Sequence, residues 1–532
     1  MENKLLSNKY YLYMTEFFAG MAIMAVELGA SRLLAPYFSS SQIVWTIIIG
    51  TIMIAMALGN VFGGRSADKD PDPAKLYRRM IIAGMWIAAI PLVGKYVIVG
   101  ITGLLVVAVN TNFLIIAAFC ACMVIFVYPL FLLGTVTPSL VKYTTDNLRD
   151  NGKVVGTLGA FNTAGSIIGT FLPTFVTIPA VGTAITFLIF SGMLLVIGIL
   201  FFLFQKSGKK LIAVSVILFS VCAVFGNSGS FAFWEKDLAY EGESVYNYLQ
   251  VKDNDERTVL STNVLFGVQS VYEKKDTLTN MYYDYALAAP AMADIQDRQN
   301  ASLLILGMGT GTYAMQCGKY YPYMDISGVE IDRKITRLAR EFFNMSDNLK
   351  VTEYDGRVYL NVDREQYDVI MVDAYQDITI PFQMSSREFF SLVNDHLKPG
   401  GVMIVNMNMH TGDHGSINEY LQDTIASVFR EVYIVDVPGS TNRELFASQS
   451  GTIVERLNEN AVSMEDRRLG SLLQRIEDQL IHYEGGNHVF TDDQAPVELM
   501  GIKAIDHMIR DEISYYKEVY QEKGLRGLLG EM

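Results

Sequence analysis

Before residue 228 the chain is made almost entirely of apolar stretches long enough to cross a bilayer, and no other feature limits its fold as strongly. Hydrocarbon offers no water to the backbone, so a spanning segment must bond to itself. That leaves helices of roughly 20 residues. Residues 10–38, 43–64, 80–98, 113–140, 154–178, 181–204 and 211–226 meet the requirement and predict about seven spans. The apolar run 99–110 is too short for another full crossing; it reads as a re-entrant or interfacial piece, with an eighth span as the alternative. Glu27 and Arg32 lie inside the first stretch. Charges are costly in lipid, so they are either functional or an internal pair near the span's end. The glycines between 156 and 169 predict close helix packing.

Charge divides the chain at the same place. Residues 1–228 hold 15 Lys and Arg against 8 Asp and Glu, a net of +7; the rest holds 27 against 48, a net of −21. An acidic polar half repels nucleic-acid phosphates and suits a cationic small molecule. Basic residues gather at Lys4 and Lys9 and in segments 65–79, 142–153 and 206–210, while the loops 39–42 and 179–182 carry none. This alternation predicts a multi-pass membrane protein with a cytoplasmic N-terminus. Seven spans would then put the polar half outside, where nucleoside cofactors are scarce. Cofactor access favours the cytoplasmic face, against the span count. Three of the four cysteines (Cys120, Cys122 and Cys222) are in apolar stretches; Cys317 is alone in the polar half, so no disulfide framework or thiolate metal site forms there.

In the polar half, Leu303-Leu304-Ile305-Leu306 runs into Gly307-Met308-Gly309-Thr310-Gly311. A second apolar run closes on Glu330, nineteen residues after Gly311. A buried strand, a Gly-rich turn and a carboxylate at this interval form a nucleoside-binding pattern. Strands are predicted at 302–306, 324–329, 349–352, 367–372 and 402–406, with helices at 313–319, 333–343 and 386–396 and a turn at Lys398-Pro399-Gly400-Gly401. Apolar strands joined by crossover helices predict a doubly wound parallel sheet of Rossmann type. Gly307, Glu330, Asp355 and Asp373 all fall at strand ends on one crevice. Residues 244–274 alternate apolar and polar and predict a small β-rich piece ahead of the sheet. The expected organisation is a transmembrane helical bundle (1–228), a β-rich part (229–300) and an α/β Rossmann-like S-adenosylmethionine-type domain (301–532).

This order of elements over residues 240–450 resembles the spermidine synthase (polyamine aminopropyltransferase) family. The segment Glu27-Leu28-Gly29-Ala30-Ser31-Arg32-Leu33-Leu34-Ala35-Pro36 and the late Thr491-Asp492-Asp493-Gln494-Ala495-Pro496-Val497-Glu498 resemble its subgroup fused to membrane helices. The resemblance implies a transferase of polyamine biosynthesis using decarboxylated S-adenosylmethionine as co-substrate. It would need no prosthetic group or metal and would release methylthioadenosine. Gly307, Gly309, Thr310 and Gly311 would cradle the donor, Glu330 would accept from its ribose, and Asp355 with Gly356 would read adenine. Asp373 would deprotonate or hold the attacking amine. Gln269, Tyr282, Asp284, Tyr375 and Asp377 would contact the amine. The implied partners are a polyamine or other small amine and the lipid bilayer, without nucleic acid; a homodimer is compatible.

Two departures stand out. The family's Gly-rich turn usually carries an acid where Thr310 stands, and that acid grips the donor's ammonium. The second acid of the catalytic loop is replaced by Gln376, with Asp377 one position later. Asp492, Asp493 and Glu498 are candidates for the missing charge. The alternatives are an enzyme acting on intact S-adenosylmethionine, by methyl transfer or an internal displacement, and a nucleoside- or polyamine-binding transporter or sensor. The plainer readings are a bare turn for the glycines, helix capping for Glu330 and Asp373, and a solvated loop for 491–498. His410, Asp413 and His414 suggest a metal, but Gly412 and Gly415 break their spacing and favour a loop.

Overall fold

The computed structural model describes residues 8–38, 41–108, 112–144, 151–226, 230–235, 237–262, 268–295, 298–373, 380–408, 414–507 and 510. The chain divides into two compact units, residues 1–234 with 241–248 and residues 235–240 with 249–532.

The first unit is helical: α1 (Lys9–Phe38), α2 (Gln42–Lys69), α3 (Pro73–Ala108), α4 (Phe113–Ile125), α5 (Val127–Gly134), α6 (Val136–Thr144), α7 (Asn151–Leu172), α8 (Ile178–Phe204) and α9 (Lys209–Phe225). Among the described residues four helical stretches are long and apolar enough to cross a membrane, or five if the pair bent by 50° between α4 and α5–α6 is one span. The seven apolar stretches expected from the sequence are distributed among these helices differently in three places. A π-helical turn (Pro173–Thr177) carries α7 into α8 in one 54-residue stretch, Asn151–Phe204, long enough for both predicted spans 154–178 and 181–204, and Gly182 (φ 82°) breaks its helical geometry where those two meet. The predicted stretch 113–140 is broken into α4, α5 and α6. At 17 residues, α9 lies at the lower limit for a crossing. The short apolar run from 99 is no separate piece but continues α3 as far as Ala108.

Helices that are apolar all round need small residues to approach one another. A Cβ at Gly20 would lie 2.5 Å from the Asn162 carbonyl oxygen, and one at Gly165 would penetrate the Phe17 carbonyl. These contacts join α1 to α7. Gly165→Ala is therefore expected to cost about 1–3 kcal/mol, read as a lower thermal midpoint of the detergent-solubilised protein. Gly152→Ala, where a Cβ meets nothing within 4 Å, is the control. Glu16, which the sequence analysis does not single out, is fully buried in α1 and accepts from Thr137 Oγ1 (2.5 Å) and Asn162 Nδ2 (2.7 Å). Arg32 donates to the carbonyls of Ser244 (2.9 Å) and Val245.

The second unit contains most of two sheets. Strands β1 (Leu238–Glu243), β2 (Tyr248–Asp253), β3 (Arg257–Ser261) and β4 (Ser270–Glu273) form a sheet in that order, the β-rich piece expected from the sequence. Then follow α10 (Tyr282–Ala286), α11 (Ala288–Met292), β5 (Ser302–Leu306), α12 (Thr312–Tyr320), β6 (Asp325–Glu330), α13 (Arg333–Phe342), β7 (Lys350–Glu353), α14 (Gly356–Val362) and β8 (Tyr367–Val372). The chain continues through α15 (Arg387–Asp395), β9 (Leu397–Met407), α16 (Ile417–Ala426), β10 (Glu431–Asp436), β11 (Arg443–Ser448), α17 (Ile453–Ser463), α18 (Arg467–Gln479) and β12 (Ile481–His482).

The larger sheet has the order β12-β10-β11-β9-β8-β5-β6-β7. Strands β5 to β9 are parallel, as expected, but β10, β11 and β12 pair antiparallel, so the sheet is mixed. The Pro438-Gly439 turn between two apolar runs is the sequence signal for that hairpin. Segment 398–401, expected as a turn before the strand, lies inside β9, where the β8 register shifts. Side chains alternate across the sheet. Leu303, Ile305, Val369, Met371, Val402, Ile404 and Phe446 pack in one core layer; Leu304, Leu306, Ile370, Val372, Met403, Val405 and Leu445 pack in the other. Because β6 and β8 flank β5, successive connections leave it in opposite directions. The crevice at the carboxyl ends of β5 and β8 is the topological switch point, where ligands bind in such sheets.

Candidate active site

Glycine is required where β5 ends. Gly307 (φ 88°), Gly309 (φ 55°) and Gly311 (φ 81°) adopt left-handed backbone that L side chains disfavour. Gly307 N and Met308 N both donate to the Val329 carbonyl, at 2.9 and 3.0 Å, folding the turn back over the end of β6. Glu330 is the next residue to matter. Its Oε2 accepts Gly309 N at 2.9 Å and its Oε1 accepts Asp332 N at 3.0 Å. Asp332, not Glu330, caps α13, through Lys334 N. Glu330 thus fastens the glycine turn to the β6 end and keeps lone pairs free for further donors. Burial pushes its carboxyl up to about 7, against the lowering pull of those N–H bonds.

Asp373 follows β8 directly, and its N–H donates to the Leu306 carbonyl at 2.9 Å, which brings it beside the glycine turn. Tyr282 Oη donates to Asp373 Oδ2 (2.6 Å) and Asn406 Nδ2 to Oδ1 (2.9 Å). Asn442 Nδ2 in turn donates to Asn406 Oδ1 (2.8 Å) and holds the amide in that orientation. Burial pushes the Asp373 carboxyl up to about 7, although both hydrogen bonds favour its charged form. A carboxyl near neutrality with one oxygen on a tyrosine and one on an amide is suited to general base work.

The remaining predicted residues divide. Asp355 caps α14 by accepting Val358 N (2.9 Å), and a Cβ on neighbouring Gly356 would lie 3.2 Å from Met384 Cε. Thr310 is fully buried and uncharged; its Oγ1 lies 3.3 Å from Thr312 Oγ1 and its N–H donates to Ser270 Oγ at 3.4 Å. The Gln269 carbonyl accepts Tyr283 Oη (2.9 Å). Asp284 is engaged locally: its oxygens take Thr279 N, Asn280 N and Gln316 Nε2 at 2.7–2.9 Å, stapling the turn ahead of α10. Asp492 forms a bidentate pair with Arg357 (2.6 and 2.7 Å) and accepts Ser386 Oγ (2.6 Å), so its charge is already balanced. Asp493 is exposed. Tyr375, Gln376, Asp377, His410 and Asp413 lie outside the described residues. Asn406 and Glu444, neither singled out in the sequence, border Asp373.

These shifts fix a sign for stability in the ligand-free protein. A carboxyl whose folded pKa is raised holds its proton more tightly when folded. Its contribution is complete below the unfolded pKa and is lost as pH rises through about 7. The depressed carboxyls Asp253, Asp276 and Asp492 titrate below that window. The two raised groups together are expected to remove about 2–4 kcal/mol between pH 5 and 8, with part-exposed Asp373 discounted. Thermal unfolding at both pH values checks this, and Asp373→Asn should shrink the difference.

Comparison with known proteins places the sequence in a family. The spermine/spermidine synthase domain model matches residues 282–450. A probable polyamine aminopropyl transferase of Bifidobacterium longum is 49% identical over 352 residues, 62% of this chain and 77% of that protein. A polyamine aminopropyltransferase of Vibrio vulnificus is 24% identical over 260 residues, 48% of this chain and 84% of that one. The crystal structure of a probable spermidine synthase from Corynebacterium glutamicum aligns over 47% of this chain and 98% of its own, at 19% identity and a TM-score of 0.36. With nearly half the residues identical across most of the Bifidobacterium protein, this chain belongs to the spermine/spermidine synthase family and is a transferase.

Proposed function

We propose that the chain is a membrane-integral aminopropyltransferase: it moves an aminopropyl group from decarboxylated S-adenosylmethionine to a polyamine and releases methylthioadenosine. The observation that carries this reading is Asp373, set at the switch point beside the glycine turn and gripped by Tyr282 and Asn406. The glycine turn, Glu330 and the Asp355–Gly356 corner hold the adenosyl part. A substrate amine is mostly protonated near neutral pH and carries no free pair. Ionised Asp373 takes one of its protons, and the freed nitrogen attacks the methylene carbon next to the sulfonium. The C–N bond forms as the C–S bond breaks, and the electron pair leaves on sulfur, which becomes the neutral thioether of methylthioadenosine. The apolar helices of the first unit support membrane insertion, with 1–228 as the membrane part and 229–532 as the catalytic part.

Thr310 favours a second reading. A buried neutral side chain at that position gives the donor's tail no counter-charge, so intact S-adenosylmethionine fits as well. Its own carboxylate can then displace sulfur from within the molecule, giving methylthioadenosine and a lactone. Product analysis separates the two. Methylthioadenosine that forms only with decarboxylated donor plus diamine supports transfer; release from intact donor alone supports internal displacement. Binding without any product removes both.

A further inference from the structure

Glu444 of β11 is fully buried, and neither carboxyl oxygen has a hydrogen-bond partner among the described residues. An unsatisfied buried carboxyl is costly and calls for a physical reason. Its neighbours supply one. Glu444 lies opposite Asn406 in the antiparallel β9–β11 register, so the two side chains share a face of the sheet. The β8–β9 register runs Met371 to Ile404 and Val372 to Val405, which puts Asp373 level with Asn406. Asp373, Asn406 and Glu444 therefore form one row across three adjacent strands. The row shares the core layer that holds Tyr282, Tyr283 and Tyr313, below Phe446 and Ile404. The two acids are two strand spacings apart, about 10 Å between backbones, with Asn406 between them. Asp373 is near enough to raise Glu444 electrostatically, in addition to the larger effect of burial.

Two other acids suggested by the sequence are already engaged: Asp492 by Arg357 and Ser386, and Asp284 by its own turn. Glu444 is different because, among the described residues, nothing donates to either of its oxygens. We propose that Glu444 is the receptor for the distal ammonium of a short aliphatic diamine whose other nitrogen reacts at Asp373. The diamine lies along the row, and its ammonium N–H groups fill the two acceptors to which no described residue donates. This rests on the aminopropyltransferase reading and adds what selects the acceptor, a second positive charge.

The test uses the full chain in detergent with methylthioadenosine present, titrated calorimetrically with diaminobutane and with aminobutane. Wild type should bind diaminobutane at least tenfold tighter. Glu444→Gln and Glu444→Ala should bring that ratio close to one. Glu444→Gln should also raise the ligand-free thermal midpoint, since an unpartnered acid is removed; an acid serving only the fold would lower it. A diamine preference unchanged in both variants overturns the proposal, as does equal affinity of wild type for the two amines. Aminopropyl transfer is assayed separately. Intact diamine selectivity with no transfer overturns the transfer reading and leaves the ammonium site standing.

Discussion

Asp373→Asn lowers kcat for aminopropyl transfer by about a thousandfold, within the range expected for loss of a general base, while donor affinity stays within a few-fold of wild type. The substitution keeps an acceptor for Tyr282 Oη and the size of the side chain but sets its amide NH2 against Asn406 Nδ2, so the unchanged donor affinity is the check that the loss reports basicity and not collapse. The pH profile gives the sharper readout. Both Asp373 and Glu330 are pushed up to about 7, so the acid limb of kcat/KM in wild type reflects two groups that must be ionised. In the variant the limb keeps only the part due to Glu330 and becomes shallower. A variant with wild-type kcat, or an unchanged limb, removes Asp373 from the chemistry. Asn406→Asp tests the same point from the other side. A second carboxylate against Oδ1 disfavours ionisation of Asp373, and the limb should move to higher pH.

The parts of this site that were legible in the sequence are those in which one short segment carries both the fold signal and the chemistry. Gly307, Gly309 and Gly311 announce positive φ directly after an apolar run. Glu330 and Asp373 each terminate such a run, so their place at the carboxyl edge of the sheet follows from strand length alone. Asn406 and Glu444 could not be found that way. Their meeting with Asp373 depends on β11 turning back antiparallel against β9, a long-range pairing that no local period encodes. Asp284 and Asp492 show what sequence position leaves open: each acid has a partner elsewhere in the chain, Gln316 for one and Arg357 for the other, that no local pattern announces. In the helical unit, apolar length located the helices but not their breaks. The run from 99 gives no signal that separates a continuing helix from a re-entrant one; one break, at Gly182, does fall in the loop 179–182 at which hydropathy divides the two stretches. Glu16 was legible by the same rule that picked out Glu27, a carboxylate inside a span.

Glu330→Ala is expected to weaken binding of the adenosyl donor by about a hundred- to a ten-thousandfold. Two ribose hydroxyls donating to a carboxylate contribute about 1.5–3 kcal/mol each as charge-assisted bonds, and every 1.4 kcal/mol is about tenfold in Kd. The carboxylate also fastens the turn, so its removal leaves Gly309 N and Asp332 N without their acceptor and loosens the cradle. Glu330→Gln separates the two contributions. Its single carbonyl oxygen can keep one of the backbone contacts but cannot serve both N–H groups and both hydroxyls, and it carries no charge. An intermediate loss of about tenfold to a hundredfold is expected there by the same count. The wild-type carboxyl is raised to about 7 by burial, so its ionised fraction grows across neutrality and donor affinity should increase from pH 6 to pH 8. In Glu330→Gln that increase should be largely lost, while Asp373 still titrates. Calorimetry with methylthioadenosine, which keeps the ribose but has no sulfonium charge, isolates this from any attraction between the donor cation and Asp373. Equal affinity of wild type and both variants at pH 8 would mean that the ribose is held elsewhere and that Glu330 only braces the turn.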